Sequence, residues 1–182
     1  MRIISGLAKG RRLAAPDTAA TRPATDRVRE AVFSMIGDWV VDAAVLDLYA
    51  GSGSFGLEAL SRGASGATFV ENGNRAVDAL RSNIATVSLG GILVTSDVRR
   101  FLQEASGRYD LVFIDPPWDM SSFDLGNDLA ALDPLLEPGA EVILSRRHTD
   151  MVPETPPTWL VATDRRYGDT RILRYEKKAE AE

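Results

Sequence analysis

The stretch Tyr109-Asp110-Leu111-Val112-Phe113-Ile114-Asp115-Pro116-Pro117-Trp118 sets the architecture. Its first part, Tyr109 to Ile114, is the most apolar run in the chain, bounded by Gly107 and Pro116. A continuous run of this length, bounded by turn residues, reads as a strand buried on both faces. In open α/β sheets, ligands bind at the carboxyl edge of the strands. At that edge this strand releases an acid, two prolines and an indole.

Around this strand, β and α segments alternate. Val45 to Tyr49 reads as a strand and Phe55 to Arg62 as a helix ended by Gly63. Ala67 to Glu71 is a second strand, Asn74 to Val87 a helix, Ile92 to Thr95 a third strand and Val98 to Ala105 a short helix. After the 109–114 strand come a helix over 124–136, stopped by Pro138-Gly139, and a fifth strand, Glu141 to Leu144. Two last strands, near 158–162 and 170–175, are expected as an antiparallel edge pair. This alternation predicts a seven-stranded, mostly parallel sheet with helices on both faces, an α/β fold.

Upstream, a helix begins near Thr25 or Asp26, both suitable N-caps. Its apolar residues Val28, Ala31, Val32, Met35, Ile36 and Trp39 share one face, and Arg27 and Arg29 point elsewhere. Residues 2–14 read as a small basic β-hairpin turning near Lys9-Gly10. Pro16 to Pro23 is a linker without periodicity. The expected organisation is therefore an extension over 1–24, a main domain over 25–176 and a frayed tail over 177–182.

The 182 residues are 45% apolar and 26% charged, as expected of one soluble domain with a real core. The chain has no cysteine, which excludes disulfides, thiolate metal sites and a cysteine nucleophile. His148 is the one histidine, so no metal site is expected. The opening Met-Arg-Ile-Ile-Ser lacks an apolar stretch long enough for a signal peptide, and no run approaches a membrane span. The expected location is the cytoplasm.

Net charge is −5, but it is unevenly spread. Residues 1–30 carry seven basic side chains (Arg2, Lys9, Arg11, Arg12, Arg22, Arg27, Arg29) against Asp17, Asp26 and Glu30. A basic arm on an acidic body suggests contact with nucleic acid. Arg165, Arg166, Arg171 and Arg174 form a weaker second cluster, read as an ordinary charged edge.

The first strand runs into Asp47-Leu48-Tyr49-Ala50-Gly51-Ser52-Gly53-Ser54-Phe55-Gly56. Residues 51–56 match G-x-G-x-x-G, with Glu71 lying 20 residues beyond Gly51, which alone would allow a dinucleotide enzyme. Two features favour S-adenosylmethionine (SAM) over NAD. Asp47, inside the strand, could face the ammonium of a methionine moiety but would repel a pyrophosphate. Asp47, Glu71 and Asp97 also end three successive strands, with Glu71 placed for ribose hydroxyls and Asp97 for an adenine amino group. Gly51, Ser52 and Gly53 bring the backbone close to the ligand, and Asn72 and Val98 adjoin the second and third acids.

The residues Asp115 to Trp118 suit transfer to an exocyclic amino group on a flat ring. Asp115 could accept one N–H and the Pro116 carbonyl the other, so positioning supplies much of the catalysis. Pro117 helps stiffen the loop, and Trp118 offers a face for the base. The rival reading is a plain turn with Trp118 as a core plug.

Together these residues resemble the class I SAM-dependent methyltransferases, and more narrowly the RsmD-type 16S ribosomal RNA guanine-N2 methyltransferases. The resemblance covers nearly the whole chain. It rests on Arg2-Ile3-Ile4-Ser5-Gly6 with Gly10-Arg11-Arg12-Leu13, and on Arg22-Pro23-Ala24-Thr25-Asp26-Arg27-Val28-Arg29-Glu30. It continues through Val45 to Gly53, Leu57-Glu58-Ala59-Leu60-Ser61-Arg62-Gly63-Ala64, and Asp115-Pro116-Pro117-Trp118. It implies a Rossmann-like domain that binds SAM through Asp47, Gly51, Gly53, Glu71 and Asp97. It further implies that the basic hairpin and the Arg22–Arg29 stretch grip 16S RNA or an assembling small subunit. A monomer is expected. Trp118 departs from the family's usual Tyr or Phe, and Ala24 from its usual Thr. The motifs alone leave open a DNA methyltransferase acting on adenine N6 or cytosine N4. An NAD-linked oxidoreductase and a non-catalytic RNA-binding module are further alternatives. Covalent attack on cytosine C6 is disfavoured without a cysteine.

Overall fold

The computed structural model describes residues 1–15 and 26–179. The expected linker, Arg22, the Thr25 cap and the boundary at residue 24 lie outside the described residues. The strands are β1 (Ala44–Leu48), β2 (Gly66–Glu71), β3 (Ile92–Thr95), β4 (Tyr109–Ile114), β5 (Leu136–Arg147), β6 (Trp159–Tyr167) and β7 (Thr170–Lys177). They form one sheet in the order β3-β2-β1-β4-β5-β7-β6. β1 to β5 pair in parallel, and β7 runs antiparallel to both β5 and β6.

The helices are α1 (Asp26–Ile36), α2 (Ser54–Ser61), α3 (Asn74–Val87), α4 (Val98–Glu104) and α5 (Ser122–Leu132). Successive strand residues point to opposite faces, so β4 feeds two cores. Leu111 and Phe113 pack with Val32, Leu57 and Leu80 of α1, α2 and α3. Val112 and Ile114 pack with Leu102 and Leu129 of α4 and α5. All four of these strand residues are at most 2% exposed, so β4 is the two-sided central strand its composition predicts.

The structure departs from the sequence reading in several places. The last two strands form the expected antiparallel pair at one edge of the sheet, but in reversed order, with β7 inserted between β5 and the outer strand β6. Ile172, Leu173 and Tyr175 of β7 are buried, so they need partners on both sides. The helix expected over 124–136 starts earlier, because the Ser121 side chain caps it by accepting the Asp124 amide. It also stops earlier, at a 3-10 turn over Asp133–Leu135 that holds Pro134. Pro138 and Gly139 lie instead in an irregularity at the start of β5. Trp39 leaves the apolar face and is 50% exposed. The helical period breaks at Gly37, whose φ of +54° starts a 3-10 turn. At the other end Lys177 is not frayed: it closes β7 and donates to the Asp133 and Leu136 carbonyls at 2.8 and 3.2 Å.

The N-terminal segment pairs through one antiparallel bridge, Arg2 with Arg12, and backbone hydrogen bonds join Ile3 to Arg11, Gly10 to Ile3 and Leu13 to Met1. The chain runs down along α2, turns over residues 5–10 and returns beside α3. Two buried α2 side chains hold it. The Glu58 carboxylate accepts the Ile4 and Ser5 amides at 2.7 and 3.0 Å, and the Ser61 hydroxyl accepts the Ala8 amide at 2.9 Å. With Ile3, Ala8 and Leu13 buried, this segment is a strap on the domain rather than a free arm.

Candidate active site

At the end of β1 the chain turns sharply. Tyr49 takes a left-handed backbone (φ +56°), as do Gly51 and Gly53. Gly53 and Gly56 are required by packing: a Cβ on Gly53 would lie 2.3 Å from the Leu80 side chain, and one on Gly56 2.4 Å from Phe69. A Cβ on Gly51 would meet nothing, so open space lies beside this turn.

Two of the three predicted acids bind at the turn, and the third stands after β3. Asp47 is buried and accepts the Gly56 amide at 2.9 Å. Burial raises its pKa well above the usual carboxylate range, and the nearby charges of Asp115 and Glu71 push it further the same way. Glu71 accepts the Gly51 amide through one oxygen (2.8 Å) and the Asn72 and Gly73 amides through the other. It therefore fixes the glycine turn to the end of β2, with lone pairs still available for hydroxyl donors. Asp97 is exposed and caps α4, accepting the Arg100 amide at 3.2 Å.

The remaining residues beside the acids differ in exposure. Asn72 is exposed, whereas Val98 is buried in the α4 core. Ser52 is also buried, with its hydroxyl toward Met1 Sδ and its carbonyl accepting from Asn83 at 2.9 Å. It belongs to the scaffold of the turn.

Asp115 follows β4 on the Phe113 face of the sheet, the face that also carries Asp47. Burial pushes its pKa up to about 6, while a hydrogen bond with the Ser145 side chain pulls the other way. Pro116 is buried and Pro117 exposed. Trp118 is half-buried and belongs to neither core; the Arg147 guanidinium lies 4.7 Å from its ring centroid. The far end of this loop is held by Arg146, which donates to the Met120 carbonyl at 2.9 Å. Tyr49 braces the same region, its hydroxyl donating to Asp128 at 2.7 Å.

The basic residues split into two groups. Arg2, Lys9, Arg12 and Arg27 are exposed. Arg29, expected to contact RNA, is fully buried and donates to the Arg2 carbonyl and to Asp26. The helical period turns its side chain toward the strap, where the Arg2 carbonyl needs a donor. Arg11 donates to the Thr86 and Val87 carbonyls, so it caps the C-terminus of α3. In the second basic cluster, Arg171 pairs with Asp164 and Arg174 with Glu141.

Sequence reasoning passed over Asn83, Ser145, Arg146 and Arg147. Asn83 is 1% exposed; its amide oxygen accepts the Ala14 amide and its NH2 donates to the Ala14 and Ser52 carbonyls. A polar residue between Leu80 and Val87 on a core-facing helix was the available signal.

Residues 1–176 match the family described as "Conserved hypothetical protein 95". An Escherichia coli relative, Ribosomal RNA small subunit methyltransferase D, is 34% identical over 183 residues, covering 100% of this chain and 92% of the relative. The chain belongs to the RsmD family. Another member of this name, from Haemophilus influenzae, is 31% identical over 97% of this chain and 93% of its own length. The solved structure of Escherichia coli yhhF superimposes with a TM-score of 0.87 at 33% identity, covering 99% of each chain. The RsmD family match thus includes the strap, α1 and the Asp115–Trp118 loop.

Proposed function

We propose that this protein transfers a methyl group from SAM to the exocyclic N2 of a guanine in 16S ribosomal RNA. The observation that carries the reading is the cluster of Asp47, Glu71 and Asp115 around the glycine turn. Burial and the nearby charges of Asp115 and Glu71 disfavour a negative charge on Asp47 there. A cationic ligand relieves that repulsion and an anionic pyrophosphate aggravates it. SAM carries an ammonium and a sulfonium, and open space lies beside Gly51. Membership of the RsmD family favours RNA over DNA as the polymer.

SAM supplies an electrophilic methyl group. In this reading Asp47 meets the ammonium, Glu71 the ribose hydroxyls and Asp97 the adenine edge. The Asp115 carboxylate and the Pro116 carbonyl each accept one hydrogen of the target NH2 and hold its nitrogen in line with the methyl. The base, drawn out of its stack, rests on Trp118. After transfer the nitrogen is acidic, so Asp115 or solvent takes its proton without a strong base. Arg2, Lys9, Arg12 and Arg27 contact phosphates along the strap side.

Labelled SAM offered with naked 16S RNA, assembled 30S particles or DNA tests this reading. Label in guanine N2 of RNA is the expected result. Label confined to DNA, or no binding of S-adenosylhomocysteine, overturns it.

A further inference from the structure

We propose that Arg147 reads the target base, turning from the Trp118 ring to the O6 and N7 acceptors of a guanine seated beside it. This rests on the reading above and adds the group that tells guanine from the other amino-bearing bases. The loop Asp115–Trp118 cannot do so, because adenine N6, cytosine N4 and guanine N2 all offer the same NH2 to an acid and a carbonyl.

The last residues of β5 are placed against that loop in sequence. Ser145 follows Leu144, the register partner of Ile114, Arg146 donates to the Met120 carbonyl, and Arg147 stacks on Trp118. The register Ile114–Leu144 puts Ser145 beside Asp115. Strand alternation then returns Arg147 to the Ser145 face. The Arg147 side chain is thus on the side of the loop where a base held by Asp115 must lie.

The two arginines have different freedom. Arg146 is 4% exposed and faces Asp150 at 3.1 Å, so it is fixed. Arg147 is exposed and makes no ion pair or side-chain hydrogen bond among the described residues; its guanidinium stacks on the Trp118 ring. A stacked, solvent-accessible guanidinium costs little to move, and a base arriving at the indole competes for the same ring.

The chemistry of the far edge selects the base. With N2 held by Asp115, guanine presents O6 and N7, both acceptors, and a guanidinium presents a fork of donors with no acceptor. Held by its own target amino group at Asp115, adenine puts a C–H where O6 would be, and cytosine offers O2 there but no N7, so neither presents the paired acceptors that the guanidinium fork needs. Arg147 therefore favours guanine by roughly 5- to 150-fold, equivalent to about 1–3 kcal/mol.

The test uses 16S RNA ligated with either guanine or 2,6-diaminopurine at the methylated position and assembled into 30S particles. Both bases keep the N2 amino group, but diaminopurine replaces O6 by a donor. Wild type is expected to prefer guanine in kcat/KM by the factor above. Arg147→Gln, whose amide can pair with an amino group and N7 together, should bring the ratio to about one or invert it. Arg147→Lys keeps the charge and loses the fork, so it should lose most of the preference at similar RNA affinity. S-adenosylhomocysteine binding reports folding, and Arg147→Lys gives the ratio if Arg147→Gln fails to fold. A ratio in the folded variants within twofold of wild type overturns the inference alone. Failure of wild type to methylate unmodified guanine overturns the reading beneath it, and the inference with it.

Discussion

Glu58 and Ser5 stand 53 residues apart and meet through a carboxylate-to-amide hydrogen bond of 3.0 Å. Glu58 also accepts the Ile4 amide and the Arg62 guanidinium while fully buried. The opening of the chain and the middle of α2 thus form one interface. The Glu58 carboxylate is the shared acceptor of all three donors.

Removal of that acid should therefore be costly. Glu58→Ala leaves two amides and Arg62 without their acceptor, a loss of about 3–5 kcal/mol for a broken buried pair. Thermal melting should show it, and amide hydrogen exchange at Ile4 and Ser5 should rise far more than exchange in β4.

Asp115 is expected to separate binding from turnover. Asp115→Ala should abolish methylation and change S-adenosylhomocysteine affinity by less than about threefold, or about 0.7 kcal/mol. Asp115→Asn retains one acceptor and should keep intermediate activity. Methylation surviving in Asp115→Ala would remove this residue from the mechanism.

The raised pKa of Asp115 gives two pH signatures. Only the ionised carboxylate accepts an N–H well, so turnover should climb as pH passes about 6, and Asp115→Asn should flatten that limb. For stability the sign is opposite. The folded protein holds this proton more tightly than the unfolded chain, so stability falls as pH rises from about 4 to 6. Relative to wild type, Asp115→Asn should gain stability over that window and keep the gain at pH 7, by no more than about 3 kcal/mol. Denaturant titrations of both proteins at pH 4 and pH 7 measure it.

Salt dependence should sort the basic residues. Lys9→Ala and Arg12→Ala should each flatten the slope of log RNA affinity against log salt by about 0.7. Arg11→Ala and Arg29→Ala should leave the slope unchanged and lower stability, because those side chains bind carbonyls and a carboxylate within the protein. An equal slope change for all four would return Arg11 and Arg29 to the RNA surface.

Trp118 should act through its ring face. Trp118→Ala removes a stacking contact of about 1–3 kcal/mol and should raise the KM for RNA accordingly, whereas Trp118→Phe should lose little. SAM binding should be unaffected in both.

Much of this protein is legible in its sequence because the signals are local. A continuous apolar run marks β4, helical period marks α3 from Asn74 to Val87, and Gly51-Ser52-Gly53 marks the turn at the end of β1. Hydrophobic burial and backbone sterics act over a few residues, so residue order alone specifies them. Only the tertiary structure decides what depends on distant partners. It places β7 inside the sheet, binds Arg29 and Arg11 to carbonyls, fixes Glu71 to Gly51 and ties Asn83 to both Ala14 and Ser52. It also aligns Ser145, Arg146 and Arg147 with a loop that ends some 26 residues earlier in the chain. A charged or amide side chain has the same sequence signature whether it faces water or a buried carbonyl. Its role follows from what the packed chain brings within about 3 Å of it.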